Sequence, residues 1–129
     1  MDSSKISSRT DSFLLEKYCM LYDANYDRDL VEERQMCKNI CHEYNLVKPS
    51  DLERRREILR KLLVKTGKEF LIEQPFYCDY GYNIEIGENF YSNVNCVILD
   101  GAKVKFGDNV FVAPNSLAVG NPCRVIREI

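Results

Sequence analysis

Ile86-Gly-Glu-Asn-Phe-Tyr91, Ser92-Asn-Val-Asn-Cys-Val97 and Ile98-Leu-Asp-Gly-Ala-Lys103 follow one another without a break, and after Val104-Lys105 come Phe106-Gly-Asp-Asn-Val-Phe111 and Val112-Ala-Pro-Asn-Ser-Leu117. These are five hexads in near-constant register. Each opens on an apolar or small residue, and most carry another four places later. Gly87, Gly107 and Ala113 take the second place, where a small residue eases a turn. Such a repeat is the mark of a parallel β-helix solenoid, in which each hexad forms one side of a coil and stacks on the coil below. A single Ile-Gly-x-Asn hexad would be weak. Five in register, with Gly-Glu-Asn and Gly-Asp-Asn at matching places, are specific.

Upstream of about residue 70 the apolar spacing is helical instead. Residues 12–22 read as a first helix. A second, capped by Asp27 or Asp29, runs to about Tyr44 with Leu30, Met36, Ile40 and Tyr44 along one side. Lys48-Pro49-Ser50 breaks the chain, and Ser50 with Glu53 reads as a capping box. The third helix carries Leu52, Leu59, Leu62, Leu63 and Thr66 on one stripe, with Gly67 as its C′ residue. Arg54-Arg55-Arg56 is interleaved with Glu53, Glu57 and the Glu57–Lys61 pair, which predicts a solvated helix face rather than a basic patch.

The 129 residues make about one domain. With 45% apolar residues, 29% charged residues and a net charge of −2, the chain is globular in composition. A nucleic-acid binder working through general electropositivity is excluded. No window approaches the apolar length of a membrane span. Residues 1–12 are rich in Ser, Asp and Lys, which predicts a flexible tail rather than a signal peptide or anchor, and a cytoplasmic protein. The six cysteines (Cys19, Cys37, Cys41, Cys78, Cys96, Cys123) form no Cys-x-x-Cys pair. Cys37 and Cys41 share a helix face beside His42, but a structural zinc site needs four ligands. They are expected to be small apolar residues of a helix core, with no metal and no disulfide framework.

At this point the chain resembles a known family. Leu21-Tyr-Asp-Ala-Asn25, Glu53-Arg-Arg-Arg-Glu-Ile-Leu59, Phe76-Tyr-Cys-Asp-Tyr-Gly-Tyr-Asn-Ile-Glu-Ile-Gly87, the stretch from Asn89 to Asp100, and Gly120-Asn-Pro-Cys-Arg-Val-Ile-Arg127 are similar to the maltose and galactoside O-acetyltransferases. The resemblance implies an α+β fold with an N-terminal helical cap before a left-handed parallel β-helix, and a homotrimer with acetyl-CoA in the groove between neighbouring chains. The parts are then a tail (1–11), a helical cap (12–67) and a shortened β-helix (68–129). It also implies a histidine base that takes the proton of a sugar hydroxyl, which attacks the thioester; a neutral imidazole suits that task. Asp79 and Asn93 fall where the family contacts the acceptor sugar. Gly101 stands where some members place an acidic sugar ligand, and Asp100 is adjacent to it. Arg124 and Arg127 match basic residues near the phosphates of coenzyme A. Simpler roles exist for each: Asp79 and Asn93 as turn residues, the arginines as surface charges, and Tyr80, Tyr82, Phe90 and Tyr91 as packing.

The departure from the family is as informative. Its members follow the string like Phe111-Val-Ala-Pro-Asn115 with a loop bearing the catalytic histidine, then several more coils. Here Asn115 leads directly into Ser116-Leu-Ala-Val-Gly-Asn-Pro, a jump from early coils to the final turn. The sole histidine, His42, sits in the second predicted helix and matches no catalytic position. The hexads span fewer than two coils, where a solenoid needs about three repeats. The expectation is a sugar O-acetyltransferase, acting on a hydroxyl of maltose, glucose or a galactoside, shortened to an inactive form; the alternative is a dead fragment kept for oligomerisation or sugar binding.

Overall fold

A computed structural model describes residues 28–120 and the backbone of residues 124–128. The expected tail and first helix (1–22) lie outside the described residues. The chain divides into two units, Met1–Gln35 and Met36–Ile129. Of the first only residues 28–35, the opening turns of a helix, are described. All packing below belongs to the second.

The described elements are α1 (Arg28–Asn45), α2 (Leu52–Leu62) and nine short strands. These are β1 (Phe70–Ile72), β2 (Phe76–Cys78), β3 (Ile84–Glu85), β4 (Phe90–Ser92), β5 (Cys96–Leu99), β6 (Val104–Lys105), β7 (Phe111–Val112), β8 (Ser116–Val119) and β9 (Arg124–Glu128). They form three sheets, β1-β4-β7, β2-β5-β8-β9 and β3-β6. Every pairing from β1 to β8 is parallel. The chain visits the three sheets in turn and returns to the first, so it winds as a three-sided coil. β9, which was not foreseen, turns back and pairs antiparallel with β8.

One circuit takes 20 residues, as in the partners Phe70↔Phe90, Phe76↔Cys96 and Ile84↔Val104. Three hexads make eighteen, and Val104-Lys105 supplies the two residues left over in the hexad register. Winding also begins earlier than the hexads suggest. Phe70 opens the first circuit, and Lys65 bridges Glu85, so the β3-β6 side carries a third rung. All three sides are thus three deep, which meets the usual minimum for a solenoid.

The core follows the same period. Phe70 stacks with Phe90, Cys78 with Ile98 and Ala118, Ile84 with Val104, and all seven are buried. Turns between sides are made by Asn89, Asn95, Asn109 and Asn115, each with φ of 57–60°. Asparagine tolerates this left-handed conformation better than most residues. The side chains also form ladders, Asn89 Nδ2 donating to Asn109 Oδ1 at 3.1 Å and Asn95 Nδ2 to Asn115 Oδ1 at 3.0 Å. Gly87 has a different reason to be small. A Cβ there would lie 2.7 Å from the Gly107 carbonyl in the coil above.

The helices differ from expectation in detail. On α1 the buried face is Cys37, Cys41 and Tyr44, with Ile40 partly buried, while Met36 is exposed. Asp29 lies in its first turn rather than before it. On α2 the N-cap is Asp51, not Ser50: its carboxylate accepts from the Arg54 amide at 3.2 Å. The helix stops at Leu62, short of Gly67, because Val64 N is drawn to Ile84 O (3.1 Å) and Lys65 O to Ile86 N (3.0 Å). Sheet pairing outcompetes another helical turn. Leu52 is exposed, and Ile58 joins Leu59 and Leu62 in the core.

Arg55 is the larger correction, since it belongs to no solvated face. It is only 3% exposed and donates to Pro49 O at 2.8 Å and Ile72 O at 2.9 Å, with Glu73 Oε1 3.5 Å away. Its guanidinium also lies over the Tyr44 ring, 5.9 Å from the centroid. It ties α2 to β1. Arg54, by contrast, is partly exposed and pairs with Glu43 and Glu57.

Candidate functional site

The segment after β2, Asp79-Tyr-Gly-Tyr-Asn83, must leave the sheet and turn toward β3. A turn of this length exposes several backbone N–H groups that no strand can pair. Asp100, directly after β5 one coil on, supplies the acceptors. Its Oδ1 receives Asp79 N at 3.0 Å and Tyr80 N at 2.9 Å, and its Oδ2 receives Gly81 N at 2.7 Å and Asn83 N at 3.3 Å. Asn83 Nδ2 returns a bond to Asp100 O at 2.7 Å. Asp100 is fully buried. Burial pushes its carboxyl above the ordinary aspartate range, and the four amides pull the other way. Gly81, at φ 89°, could not readily be replaced. The structure therefore places Asp100, expected beside an acceptor sugar, inside the loop as its anchor.

Asp79 is half-buried and lines a cavity of about 550 Å³. Lys38, Cys41, His42 and Asn45 form its wall from α1, and Tyr77, Cys78, Val97 and Leu99 from β2 and β5. Its surface is mostly apolar. The sole histidine thus shares a cavity with Asp79, which the sequence reading did not foresee. Asn93 lies elsewhere, in the turn after β4. Its Oδ1 accepts from Val94 N at 2.8 Å and its backbone N donates to Val112 O at 2.9 Å. Asn93 is therefore engaged as a turn residue and does not line the Asp79 cavity. Arg124 and Arg127 lie in β9, opposite Val119 and Leu117 of β8. Their side chains are outside the described residues.

Two of the lining residues, Cys41 and Cys78, converge with Cys37 through their sulfurs. Cys37 Sγ and Cys78 Sγ are 3.5 Å apart, and Cys41 Sγ is 4.0 Å from Cys78 Sγ. All three residues are buried and free of disulfides. Cys37 and Cys41 are one helical turn apart on α1, while Cys78 comes from the inward side of β2. Only the fold brings it to them. No spacing rule could have paired residues 41 and 78.

Comparison with known proteins sets this geometry in context. Residues 20–67 match the maltose acetyltransferase hexapeptide capping motif. A Saccharomyces cerevisiae protein named as an acetyltransferase is 53% identical over 111 residues, which cover 84% of this chain but 57% of the relative. The chain thus spans little more than half of that relative's length. A Staphylococcus aureus protein, also named as an acetyltransferase, is 45% identical, the match covering 92% of this chain and 90% of the relative. That alignment runs over 183 positions, more than the 129 residues available here, so the relative has residues with no counterpart in this chain. Among solved structures, a maltose O-acetyltransferase from Clostridium difficile superposes with a TM-score of 0.69 at 31% identity, covering 84% of this chain and 91% of that one. A galactoside acetyltransferase bound to coenzyme A gives 0.63 at 25%, covering 81% and 84%.

Proposed function

The chain belongs to the maltose and galactoside O-acetyltransferase family, and from that premise we propose that it is an internally shortened member, unable to transfer acetyl groups to sugars at an appreciable rate. The observation that carries this is the alignment longer than the chain itself, taken with the one histidine standing on α1. The relatives' unmatched residues fall, in this reading, after Asn115, where the family's histidine loop and later coils belong. The retained coils are left-handed, the acceptor of the active family is a sugar hydroxyl, and the shortened chain sits in the cytoplasm as a homotrimer.

The chemistry explains why the loss matters. A sugar hydroxyl is a weak nucleophile at neutral pH until a base takes its proton, and a positioned base contributes typically 10²–10⁴-fold. Asp79 is the carboxylate that lines the cavity. Asp100 is committed to four amides.

Acetyl-CoA is the family's co-substrate. Its thioester would be the acyl source, and its phosphates call for clustered cations. Among the described residues the cavity offers a single lysine or arginine, Lys38. That lining does not by itself fit the phosphates of coenzyme A. What this chain's own residues do is hold the 79–83 loop and line a mostly apolar cavity that includes Asp79.

The test is release of free coenzyme A thiol from acetyl-CoA by the purified chain, with maltose, glucose and a galactoside offered in parallel. The expected rate is the no-enzyme background. A rate within tenfold of a full-length relative would overturn the proposal, and single Asp79→Asn, Asp100→Asn and His42→Ala variants would then identify the base. Sugar binding without turnover, seen by calorimetry and lost in Asp79→Asn, would support a binding role for the shortened chain.

A further inference from the structure

We propose that Cys37, Cys41 and Cys78 form a three-thiolate site for zinc, with the fourth coordination position open to the cavity lined by His42 and Asp79. The reason is geometric. A tetrahedral zinc–thiolate site has Zn–S bonds of about 2.3 Å, which sets neighbouring sulfurs about 3.8 Å apart. Here the pairs stand at 3.5 and 4.0 Å, and all three sulfurs lie within 4.8 Å of one another. Closing on an ion needs shifts of no more than about 1 Å.

The ligands come from elements that already hold them in place. Cys37 and Cys41 sit one turn apart on the buried face of α1, and Cys78 ends a strand paired along its whole length with β5. Asn45 clamps the same helix to the same strand, accepting Phe76 N at 2.9 Å and donating to Phe76 O at 3.1 Å. Cys41 and Cys78 also line the cavity, which gives an ion a way in and a water a place to bind. A buried cysteine acting only as a small apolar residue has no need of this convergence. Cys96, also buried, is not part of the group.

Charge selects the cation class. Binding replaces the thiol protons with the ion, so Zn²⁺ plus three thiols gives a zinc tris-thiolate and releases three protons to solvent. The product carries one net negative charge, whereas a monovalent ion would leave two in a buried site, which argues for a divalent thiophilic ion. Because protons are released, affinity rises with pH. The inference does not depend on the acetyltransferase activity.

The experiment uses the full chain, reduced and stripped with a chelator, titrated with Co²⁺ and then Zn²⁺. One equivalent of Co²⁺ should give a near-ultraviolet thiolate-to-cobalt absorption that Zn²⁺ abolishes, with uptake weakening as pH falls. Cys41→Ser and Cys78→Ser should each weaken binding more than tenfold, and Cys96→Ser should leave it unchanged. Since a core variant can fail to fold, alkylation of the unmutated chain is mapped by mass spectrometry: zinc should slow Cys37, Cys41 and Cys78 at least tenfold and leave Cys19 and Cys123 alone. Absence of the thiolate absorption, or an absorption that survives both serine variants, or zinc uptake that leaves those three thiols unprotected, would overturn the proposal.

Discussion

Asp100→Ala removes the acceptor of four backbone amides at once, and the size of the loss can be worked from their surroundings. Tyr80 N and Gly81 N are buried, while Asp79 N and Asn83 N are only part-buried. The outer two can turn to water. The inner two cannot, and each buried donor left unpaired costs about 1–3 kcal/mol, or about 4 kcal/mol together. Removing a buried charge gives some of that back, since burial already raises the Asp100 carboxyl. The net expectation is a loss of about 2–4 kcal/mol near neutral pH, a large part of a small domain's stability. The pH dependence has a definite sign. A carboxyl whose folded pKa is raised contributes most below the unfolded pKa and loses that contribution as pH rises through the folded value. The difference between wild type and variant should therefore shrink from acidic toward neutral pH. Urea unfolding followed by circular dichroism measures both. Asn83→Ala, which removes only the 2.7 Å bond to Asp100 O, should cost about 1 kcal/mol and serves if the alanine variant does not fold. A loss below 1 kcal/mol in a folded Asp100→Ala protein would refute the anchoring role.

Gly87→Ala should destabilise by about 1–3 kcal/mol in urea unfolding, because its Cβ meets the Gly107 backbone at 2.7 Å, whereas Gly107→Ala, with nothing within 4 Å, should change little. Equal effects would mean the coils are spaced differently. The coil also leaves Phe111 66% exposed, with Tyr77, Tyr82 and Val94 substantially open, apolar surface that subunit contact would cover. Multi-angle light scattering at micromolar concentration should show a trimer, and Phe111→Glu should shift it toward smaller species; a well-folded monomer before mutation would contradict this.

The hexads made the coil legible because a solenoid writes its geometry locally. Each turn must hold a residue able to adopt a left-handed backbone, and Asn89, Asn95, Asn109 and Asn115 recur for that reason. Inward positions such as Ile98 and Val104 must be apolar wherever the chain lies along the stack. The family strings added the cap and the expected acceptor side. What the sequence could not supply were relations between distant residues. Whether Lys65 adds a third rung depended on sheet pairing stopping α2 at Leu62, a contest that helix propensity alone does not decide. Arg55 reads as one of three surface arginines until β1 presents Ile72 O beneath it. Asp100 drew attention as a neighbour of a family ligand position, and its anchoring role was hidden because the amides it holds lie 17–21 residues away. Cys78 met Cys37 and Cys41 only because β2 packs its inward face on α1, and three-dimensional convergence of side chains leaves no periodic trace in a sequence.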